Sequence, residues 1–378
     1  MKFLHLSDLH LGKSVYDFSM IEDQEYILKS ILCVADEEKP QCALISGDIF
    51  DRSVASTEAL RLFDDFLFGL TRRGIRVFII SGNHDSADRL AFASRLIKGA
   101  GVHIAGAYSG NVEKYTVADE YGEVDICLLP FIKPGMMRRF FPDIEIADWT
   151  DAMQAALGQE QIDPNRRSVL LTHQFVTGAV RSESEEVNVG GADNIDAVAF
   201  DAFDYVALGH LHGRQSMGRG TLRYCGSPLK YSFSESNQVK SVTLVELANK
   251  GKVSITEVPL VPKRDMKEIR GTFMEVYARS FYQGLNREDY YRVTLTDEQD
   301  QIDAIAKLRI IYPNLMRLDY DNTRTRTESR ITGSADASRL SPLELFETLY
   351  QGQNNQGFSQ EQRSYLIETI GRVWGEVQ

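Results

Sequence analysis

Cysteine is scarce in this sequence, and long apolar runs are missing. The 378 residues include four cysteines with no C-x-x-C pair among them, which excludes a disulfide scaffold and a zinc knuckle and fits a reducing compartment. No segment approaches the ~18 consecutive apolar residues of a membrane-spanning helix. The opening residues Met1–Leu6 are typical of a buried strand and not of a signal peptide. We therefore expect a cytoplasmic protein with no membrane segment.

The sequence also contains fewer positively charged residues than negatively charged ones. Lys and Arg number 42 against 54 Asp and Glu, which gives a formal net charge of −12. This balance argues against a protein that holds nucleic acid by bulk electrostatics alone, because the phosphate backbone is bound chiefly by Lys and Arg. It does not exclude a nucleic-acid enzyme whose bound metal ions supply local positive charge. The apolar share of 43% and the charged share of 25% are typical of globular proteins.

The first two thirds of the chain alternate short apolar runs with helical patterns, which is typical of an α/β fold with a largely parallel sheet. The predicted strands are Phe3–Leu6, Ala43–Ser46, Val77–Ser81, Ile126–Pro130, Ser168–Thr172, Tyr205–Leu208 and Val242–Leu247. The predicted helices are Ile21–Val34, Thr57–Leu70 and Asp88–Ala100.

The composition changes near residue 260. The stretch 259–265 is predicted as a linker, and a small α+β unit follows, with strands Tyr290–Leu295 and Leu315–Tyr320 around a helix Gln301–Ile311. The polar stretch Asn322–Ser338 is predicted as a second linker. Two helices close the sequence, each with an S-x-x-E or S-x-x-Q capping box, at Ser341 and at Ser359. We therefore predict three domains: 1–260, 265–322 and 339–378.

Polar residues follow five of the predicted strands at the point where each strand ends. They are Asp8 and His10, Asp48, Asn83 and His84, His173, and His210 and His212. Because ligands of open α/β sheets bind at the carboxyl ends of the strands, these side chains are predicted to converge on one edge. Each short motif alone has a high false-positive risk, but the whole series in this order does not fit chance placement.

Carboxylate, imidazole and amide groups together form a mixed oxygen and nitrogen ligand set. Such a set suits Mn, Fe or Zn better than Ca, and the lack of cysteine argues against a structural zinc. There are too many ligands for one tetrahedral ion, whereas two ions ~4 Å apart that share one carboxylate would use them all. Two-ion sites of this kind serve in-line displacement at phosphorus.

The order D-x-H, G-D-x-x-D, G-N-H-D, H, G-H-x-H resembles the calcineurin-like metallophosphoesterases. Four segments are further similar to the SbcD family of double-strand-break-repair nucleases. These segments are His5–Gly12, Gly47–Asp51, Tyr224–Pro228 and Ser341–Phe346. The resemblance covers nearly the whole chain. It implies a four-layer α/β fold, in which a β-sandwich is flanked by helices, with a small α+β capping domain and a C-terminal helical pair that binds a partner.

The resemblance also implies the roles of the site residues. One metal ion is expected on Asp8, His10 and His212, the other on Asn83, His173 and His210, with Asp48 bridging both. His84 is expected to act as general acid toward the leaving 3′-oxygen, and Asp51 to orient His84; the alternative for Asp51 is a loop cap. The expected cofactor is two Mn²⁺ ions, with Mg²⁺ or Fe²⁺ as alternatives.

The implied activity is ATP-dependent 3′→5′ exonuclease action on double-stranded DNA, with endonuclease cleavage of single strands and hairpins, in DNA repair, recombination and replication. The implied partner is an SbcC-type ATPase, in a heterotetramer with two nuclease subunits.

Candidate DNA contacts are Lys133, Arg138, Arg139, Arg181, Arg324, Arg326 and Arg330. Two alternatives stay open: a phosphoesterase of nucleotides or phosphoproteins with the same metal core, and a non-catalytic scaffold that binds DNA ends.

Three features are interpreted as unrelated to the reaction. The segment Leu11–Ser14 ends like a phosphate-binding P-loop, but Ser7 stands where that motif needs its first glycine, so no ATP site is predicted. His5 lies inside a predicted strand and is expected to pack near the site without binding metal. His103 stands alone and is expected to be structural.

Overall fold

A computed structural model describes most of the chain: residues 1–158, 162–185, 193–299, 301–323, 325, 341, 343–347, 350 and 357–374. The chain divides into two compact units, Met1–Met266 and Lys267–Gln378. Among the helices of the described residues, none combines the length and the apolarity that crossing a membrane requires.

The first unit is built from sixteen strands and six α-helices among its described residues. The strands are β1 (Lys2–Leu6), β2 (Ser14–Val15), β3 (Phe18–Ser19), β4 (Cys42–Ser46), β5 (Arg76–Ile80), β6 (Val102–Ala105), β7 (Glu113–Asp119), β8 (Gly122–Leu129), β9 (Arg167–His173), β10 (Phe175–Val176), β11 (Asn194–Ile195), β12 (Tyr205–Gly209), β13 (Gln215–Met217), β14 (Arg219–Tyr224), β15 (Ser241–Leu247) and β16 (Val253–Pro259). The helices are α1 (Ile21–Glu38), α2 (Thr57–Thr71), α3 (Ala87–Leu90), α4 (Ser94–Ile97), α5 (Pro134–Phe140) and α6 (Trp149–Gly158).

Two six-stranded sheets dominate this unit. The first has the order β16-β15-β1-β4-β5-β6, in which β1, β4, β5 and β6 run parallel and β15 and β16 are antiparallel to their neighbours. The second has the order β13-β14-β12-β9-β8-β7, in which β14, β12, β9 and β8 run parallel between antiparallel edge strands. Each sheet therefore presents a block of four parallel strands whose carboxyl ends lie at one edge.

The main apolar core lies between the two sheets. Phe3, Leu44 and Phe78 of the first sheet share it with Leu171 and Tyr205 of the second, and all five are fully buried. The parallel strands read as continuous apolar runs because both of their faces are covered. On the outer faces, α1 and α2 lie on the first sheet, and α5 and α6 lie on the second. The expected four-layer α/β fold is confirmed.

One predicted helix is broken. The sequence pattern predicts a continuous helix over Asp88–Ala100, but the stretch forms α3, α4 and a 3₁₀ turn at Lys98–Ala100, with Ala93 in the left-handed region at φ 60° between them. Leu90 is buried, but Phe92 and Leu96 are exposed by 82% and 84%. A helix gains most of its stability in a protein from packing an apolar face, and only part of the apolar residues of this stretch are packed within the unit.

The predicted linker at 259–265 is bound to the first unit. Arg264 Nη1 lies 2.8 Å from Asp23 Oδ2, and Arg264 Nη2 lies 2.6 Å from Glu22 Oε2, at the start of α1. Lys263 also pairs with Glu22. The first compact unit therefore includes this stretch and extends to Met266.

The second unit contains a three-stranded sheet with the order β17 (Met266–Gly271), β18 (Tyr290–Leu295) and β19 (Leu315–Tyr320). Helices α7 (Phe273–Tyr277), α8 (Arg279–Tyr282) and α9 (Ala304–Ile311) accompany it. Val293, Leu308 and Leu315 are members of its apolar core. The predicted helix Gln301–Ile311 is three residues shorter, and it begins after Asp303, which has a left-handed backbone.

Both capping boxes of the C-terminal region are confirmed. Ser341 Oγ accepts from Glu344 N at 3.3 Å, and Glu344 Oε2 accepts from Ser341 N at 2.8 Å. Ser359 and Gln362 make the same reciprocal pair ahead of the helix Gln360–Trp374.

The predicted linker Asn322–Ser338 lies almost entirely outside the described residues. The predicted third domain, 339–378, stays a prediction.

We predict that Arg264→Ala lowers the free energy of unfolding of the full chain by about 1–3 kcal/mol, because it leaves the fully buried Asp23 carboxylate without its guanidinium partner. Urea unfolding monitored by circular dichroism measures this. The matched control is Lys263→Ala, whose partner Glu22 is 57% exposed, and which should change stability by less than about 1 kcal/mol. Equal effects of both substitutions would contradict the prediction.

Candidate metal centre

The predicted site residues meet at one place, at the carboxyl ends of β1, β4, β5, β9 and β12. Two main-chain hydrogen bonds join the first two loops there: Asp8 N donates to Gly47 O and His10 N to Asp48 O, both at 3.0 Å. Asp8, Asp48 and His173 each offer one ligand atom, and these atoms lie within 4.8 Å of one another. The two sheets thus contribute to a single cluster, as the strand-end rule predicts.

The backbone of this cluster is strained. The φ values of Asp8, His10 and Asp48 are 53°, 44° and 49°, and that of His210 is 104°, all in a region that residues other than glycine rarely adopt. Such conformations each cost on the order of 1–3 kcal/mol and persist where the surrounding structure holds them. Four of the seven predicted ligands therefore lie on turns that the rest of the fold has to enforce.

Glycines permit the close approach of these turns. A Cβ atom on Gly82 would overlap the carboxylate and the main-chain nitrogen of Asp48, and one on Gly209 would overlap the carbonyl of Ser46. Both glycines come from the quoted motifs, G-N-H-D and G-H-x-H. Their role is to let neighbouring strand ends touch, since any larger residue would push the ligand-bearing loops apart.

The candidate ligands form two groups. In the first, His10 Nε2 lies 3.1 Å from His212 Nε2, and Asp8 completes a set whose ligand atoms lie within 4.8 Å of one another. In the second, Asn83 Oδ1 lies 3.0 Å from both His173 Nε2 and His210 Nδ1.

The Asp48 carboxylate lies between the two groups. Its Oδ2 atom is 3.7 Å from His10 Nε2 of the first group and 3.3 Å from His173 Nε2 of the second. Asp48 is therefore placed to touch cations held by either group.

The chemistry of the donor set fits bound cations. His173 Nδ1 lies 2.8 Å from Ser46 O, so this nitrogen carries the ring proton. A neutral His173 would then point its Nε2 lone pair at the oxygens of Asn83 and Asp48, with no proton between them. Burial lowers the pKa of His173, but the Asp48 and Asp8 carboxylates outweigh it and raise that pKa to about 9. The site thus stabilises a positive charge at the position where a metal ion would bind.

The two carboxylates of the cluster differ. Burial raises the pKa of Asp8 to about 6, although His173 and His212 oppose the shift. Burial acts in the same direction on Asp48, but there the His173, His10 and His84 rings hold the pKa well below its ordinary value. Asp48 is therefore an anion at every pH at which the protein is expected to work, as a bridging ligand must be.

His84 and Asp51 are arranged differently from the expectation. The His84 side chain is 20% exposed, with Nε2 4.0 Å from Asp48 Oδ2. Its Nδ1 faces the main-chain carbonyl of Asp51 at 3.2 Å. The Asp51 carboxylate turns to Lys13 Nζ at 2.6 Å and toward His10 Nδ1 at 3.6 Å. The contact with His84 is thus made by the backbone of Asp51, and the carboxylate faces a candidate ligand.

Asp85 holds two loops of the site together, and sequence reasoning missed this role. Its carboxylate accepts from Ile49 N at 3.1 Å, Phe50 N at 3.0 Å and Gly82 N at 2.9 Å. It therefore ties the loop of Asp48 to the loop of Asn83. A signal was present, because Asp85 belongs to the G-N-H-D motif. Gln24, which donates from Nε2 to His10 O at 2.7 Å, lies on α1 and had no such signal.

The remaining histidines lie outside the ligand groups. His5 Nδ1 lies 2.8 Å from Tyr205 OH in the core between the sheets, and His103 stacks on Phe78 with ring centroids 4.9 Å apart.

The candidate DNA contacts are scattered. Among them, the Arg181 guanidinium stacks on Phe175, 3.8 Å from the ring centroid, and Phe175 packs edge-on to His210. Arg138 instead donates to Ile146 O at 2.8 Å. Arg324, Arg326 and Arg330 lie outside the described residues.

Comparison with known proteins identifies two family profiles. "Calcineurin-like phosphoesterase" matches residues 1–214, and "Type 5 capsule protein repressor C-terminal domain" (SbcD_C) matches residues 262–354. Among solved structures, a dimetal phosphatase from Danio rerio covers 69% of this chain and 99% of that chain, with 12% identity and a TM-score of 0.38. At that similarity the structural match adds nothing to the family assignment.

Two curated relatives are named as the SbcD subunit of the SbcCD nuclease. The protein from Staphylococcus epidermidis is 31% identical over 380 residues, covering 99% of both chains. The protein from Staphylococcus saprophyticus is 32% identical over 322 residues, covering 84% of both. With the phosphoesterase profile matched over more than half of its length, and with relatives above 30% identity along nearly all of it, this chain belongs to the calcineurin-like phosphoesterases and, within them, to the SbcD family of nuclease subunits.

Proposed function

We propose that this chain is a two-metal DNA phosphodiesterase that acts as the nuclease subunit of an SbcC–SbcD complex. The observation that carries the proposal is the position of Asp48, whose carboxylate lies between two separate groups of ligand atoms. A site for one ion would need only one of these groups of ligand atoms. Two ions that share a carboxylate are the usual arrangement for displacement at phosphorus.

In this proposal Asp8, His10 and His212 would hold one ion, Asn83, His173 and His210 would hold the other, and Asp48 would be shared by both. The ions are Mn²⁺, which these carboxylate, amide and imidazole ligands suit. Bound divalent ions would activate water and neutralise the negative charge of a phosphate.

His84 supplies the proton for the leaving oxygen. Its Nδ1 donates to the Asp51 carbonyl, which orients the ring, and its Nε2 lies 4.0 Å from Asp48 Oδ2, beside the proposed bridging ligand. Its partial exposure separates it from the carboxylate and imidazole ligands, which are buried, although Asn83 is partly exposed as well. General acids of this kind contribute about 10²–10⁴-fold to a rate.

The substrate is DNA. The relatives are named nucleases, and the family resemblance implies 3′→5′ exonuclease action on duplex ends, with cleavage of single strands and hairpins, in repair, recombination and replication. Among the candidate contacts, Arg181 lies beside His210, since its guanidinium covers Phe175, although it also pairs with Asp193. A protein with net charge −12 needs such local cations together with its metal ions.

The partner is an SbcC-type ATPase that couples ATP hydrolysis to cleavage, in a cytoplasmic assembly with two nuclease subunits. The C-terminal helical region offers an apolar surface for it, because Phe346, Tyr365 and Ile367 are all exposed there. A second surface, at Phe92 and Leu96 beside the broken helix, is available for the other nuclease subunit.

We predict that His84→Ala retains both metal ions and loses at least about 100-fold in turnover, because a proton donor is lost and no ligand is. Cleavage of a labelled blunt duplex and a labelled hairpin is measured with Mn²⁺, with and without an SbcC-type ATPase and ATP. His103→Ala, which changes a histidine outside the site, should cleave like the wild type. Asp48→Ala should lose both metal and activity.

Normal DNA cleavage by His84→Ala would remove the catalytic assignment. A wild type that hydrolyses nucleotides or phosphoproteins, and leaves DNA intact even with partner and ATP, would favour the small-substrate phosphoesterase. Metal analysis that shows no bound ions would instead favour the non-catalytic DNA-end scaffold.

We predict that Mn²⁺ binding releases about one proton per chain at pH 7.5. With a raised pKa of about 9, His173 is protonated at this pH in the metal-free protein, and its Nε2 proton must leave before the nitrogen binds metal. Affinity should therefore rise about tenfold per pH unit until about pH 9. Calorimetry in buffers of different ionisation enthalpy counts the protons. No proton release, with an affinity independent of pH, would contradict the prediction and show that His173 is neutral in the metal-free protein.

We predict that Phe346→Glu abolishes capture of this chain by an immobilised SbcC-type ATPase, because it places a charge on the apolar surface proposed for the partner. Nuclease activity of the free chain on hairpins should not change. Ile310→Glu is the matched control, since Ile310 is also an exposed apolar residue and lies on α9, outside the C-terminal helices. Capture of both variants at wild-type levels would place the partner surface elsewhere.

A further inference from the structure

A buried ion pair lies beside His212, and the proposed reaction does not use it. Lys240 Nζ is 2.5 Å from Glu235 Oε2, and the two side chains are 6% and 0% exposed. Removing two charges from water is so unfavourable that apolar side chains of similar volume are often more stabilising. Stability alone therefore does not account for this pair, and its position next to a candidate ligand suggests a role in the site.

The pair is linked to the His212 ring by hydrogen bonds through one hydroxyl group, and Glu235 Oε1 itself lies 3.5 Å from His212 Nδ1. Ser184 Oγ lies 2.6 Å from Glu235 Oε1 and 2.7 Å from His212 Nδ1. A carboxylate paired with Lys240 can only accept, so the Ser184 hydroxyl donates to Glu235 and its oxygen accepts from the Nδ1–H group of His212. The chain of hydrogen bonds therefore leaves His212 Nε2 unprotonated and directed at His10 Nε2, 3.1 Å away.

Lys240 and a second buried carboxylate, Glu185, also hold the backbone of His212. Lys240 Nζ donates to His212 O at 2.8 Å, and His212 N donates to Glu185 Oε1 at 2.5 Å. Within the described structure, His212 is thus fixed at its ring and at both of its peptide groups.

Other candidate ligands are supported differently. His173 donates from Nδ1 to the main-chain carbonyl of Ser46, and His10 Nδ1 has no hydrogen-bond partner among the described residues.

We propose that Ser184 and Glu235 are positioning residues that hold His212 in the orientation and tautomer of a metal ligand, while Lys240 holds Glu235 in place. The inference rests on the proposed two-ion centre and deepens it. It makes the two ions unequal in their dependence on this network: the ion on Asp8, His10 and His212 depends on it, and the ion on Asn83, His173 and His210 does not. Loss of such a supporting hydrogen bond typically weakens metal binding by about 10–100-fold.

The experiment titrates the metal-free full-length chain with Mn²⁺, followed by calorimetry and by the electron paramagnetic resonance signal of free Mn²⁺. The wild type should bind two ions. Ser184→Ala should weaken one of them by about 10–100-fold and leave the other unchanged. Ser184→Thr, which restores a hydroxyl group, should restore both. Ser30→Ala is the control, because the Ser30 hydroxyl donates to Tyr26 O on α1, away from the candidate ligands.

A double substitution tests the ion pair without leaving a lone buried charge. Glu235→Gln with Lys240→Met keeps an amide oxygen for Ser184 and removes both charges, and it should weaken the same ion as Ser184→Ala. Two ions bound with wild-type affinity by Ser184→Ala and by the double variant, even with a lowered melting temperature, would overturn the inference and leave a structural role. A wild type that fails to bind a second ion would overturn the two-ion proposal itself.

Discussion

The fold holds the lone-pair-bearing nitrogen and oxygen atoms of the candidate ligands close to one another, and the rest of the structure has to maintain that arrangement. Within the cluster, His173 Nε2 faces Asn83 Oδ1 at 3.0 Å and Asp48 Oδ2 at 3.3 Å, and His10 and His212 bring their Nε2 atoms to 3.1 Å. Without a cation these contacts are repulsive or must be relieved by a proton, which is why the pKa of His173 lies so far above its ordinary value. The fold therefore has to supply enough rigidity to keep the donors together in the absence of metal.

That rigidity comes from the ends of buried strands. The ligand loops begin in β1, β4, β9 and β12, whose residues are almost all fully buried, so their ends cannot drift apart without opening the core. Asp85 then links the loops of Asp48 and Asn83 through three main-chain N–H groups. This framework holds Asp8 and Asp48 in a left-handed backbone conformation that is strained for residues other than glycine.

The sequence predicts those parts of the site that obey a local rule. Asp8, Asp48 and His173 follow apolar runs, and the strand-end rule is enough to bring them together. Such a rule cannot predict the direction of the Asp51 carboxylate, because that carboxylate pairs with Lys13 and not with His84. The continuous helix predicted at 88–100 is wrong for a related reason: Ala93 has a left-handed backbone that breaks the helix, and Phe92 and Leu96 are largely exposed although Leu90 is buried. Ser184 and Glu235 belong to no motif at all, because their role exists only through contacts between distant loops.

The two ligand groups differ in charge as well as in support. Asp8 gives the first group a carboxylate of its own, whereas the second group has the neutral amide of Asn83 and shares only Asp48. His212 of the first group is backed by a hydroxyl and a carboxylate, and His173 of the second group by a peptide carbonyl. An imidazole that donates its N–H toward a carboxylate is a more basic ligand than one that donates to a neutral carbonyl. A cation would therefore be held more firmly by Asp8, His10 and His212, and the position beside Asn83 would exchange more readily.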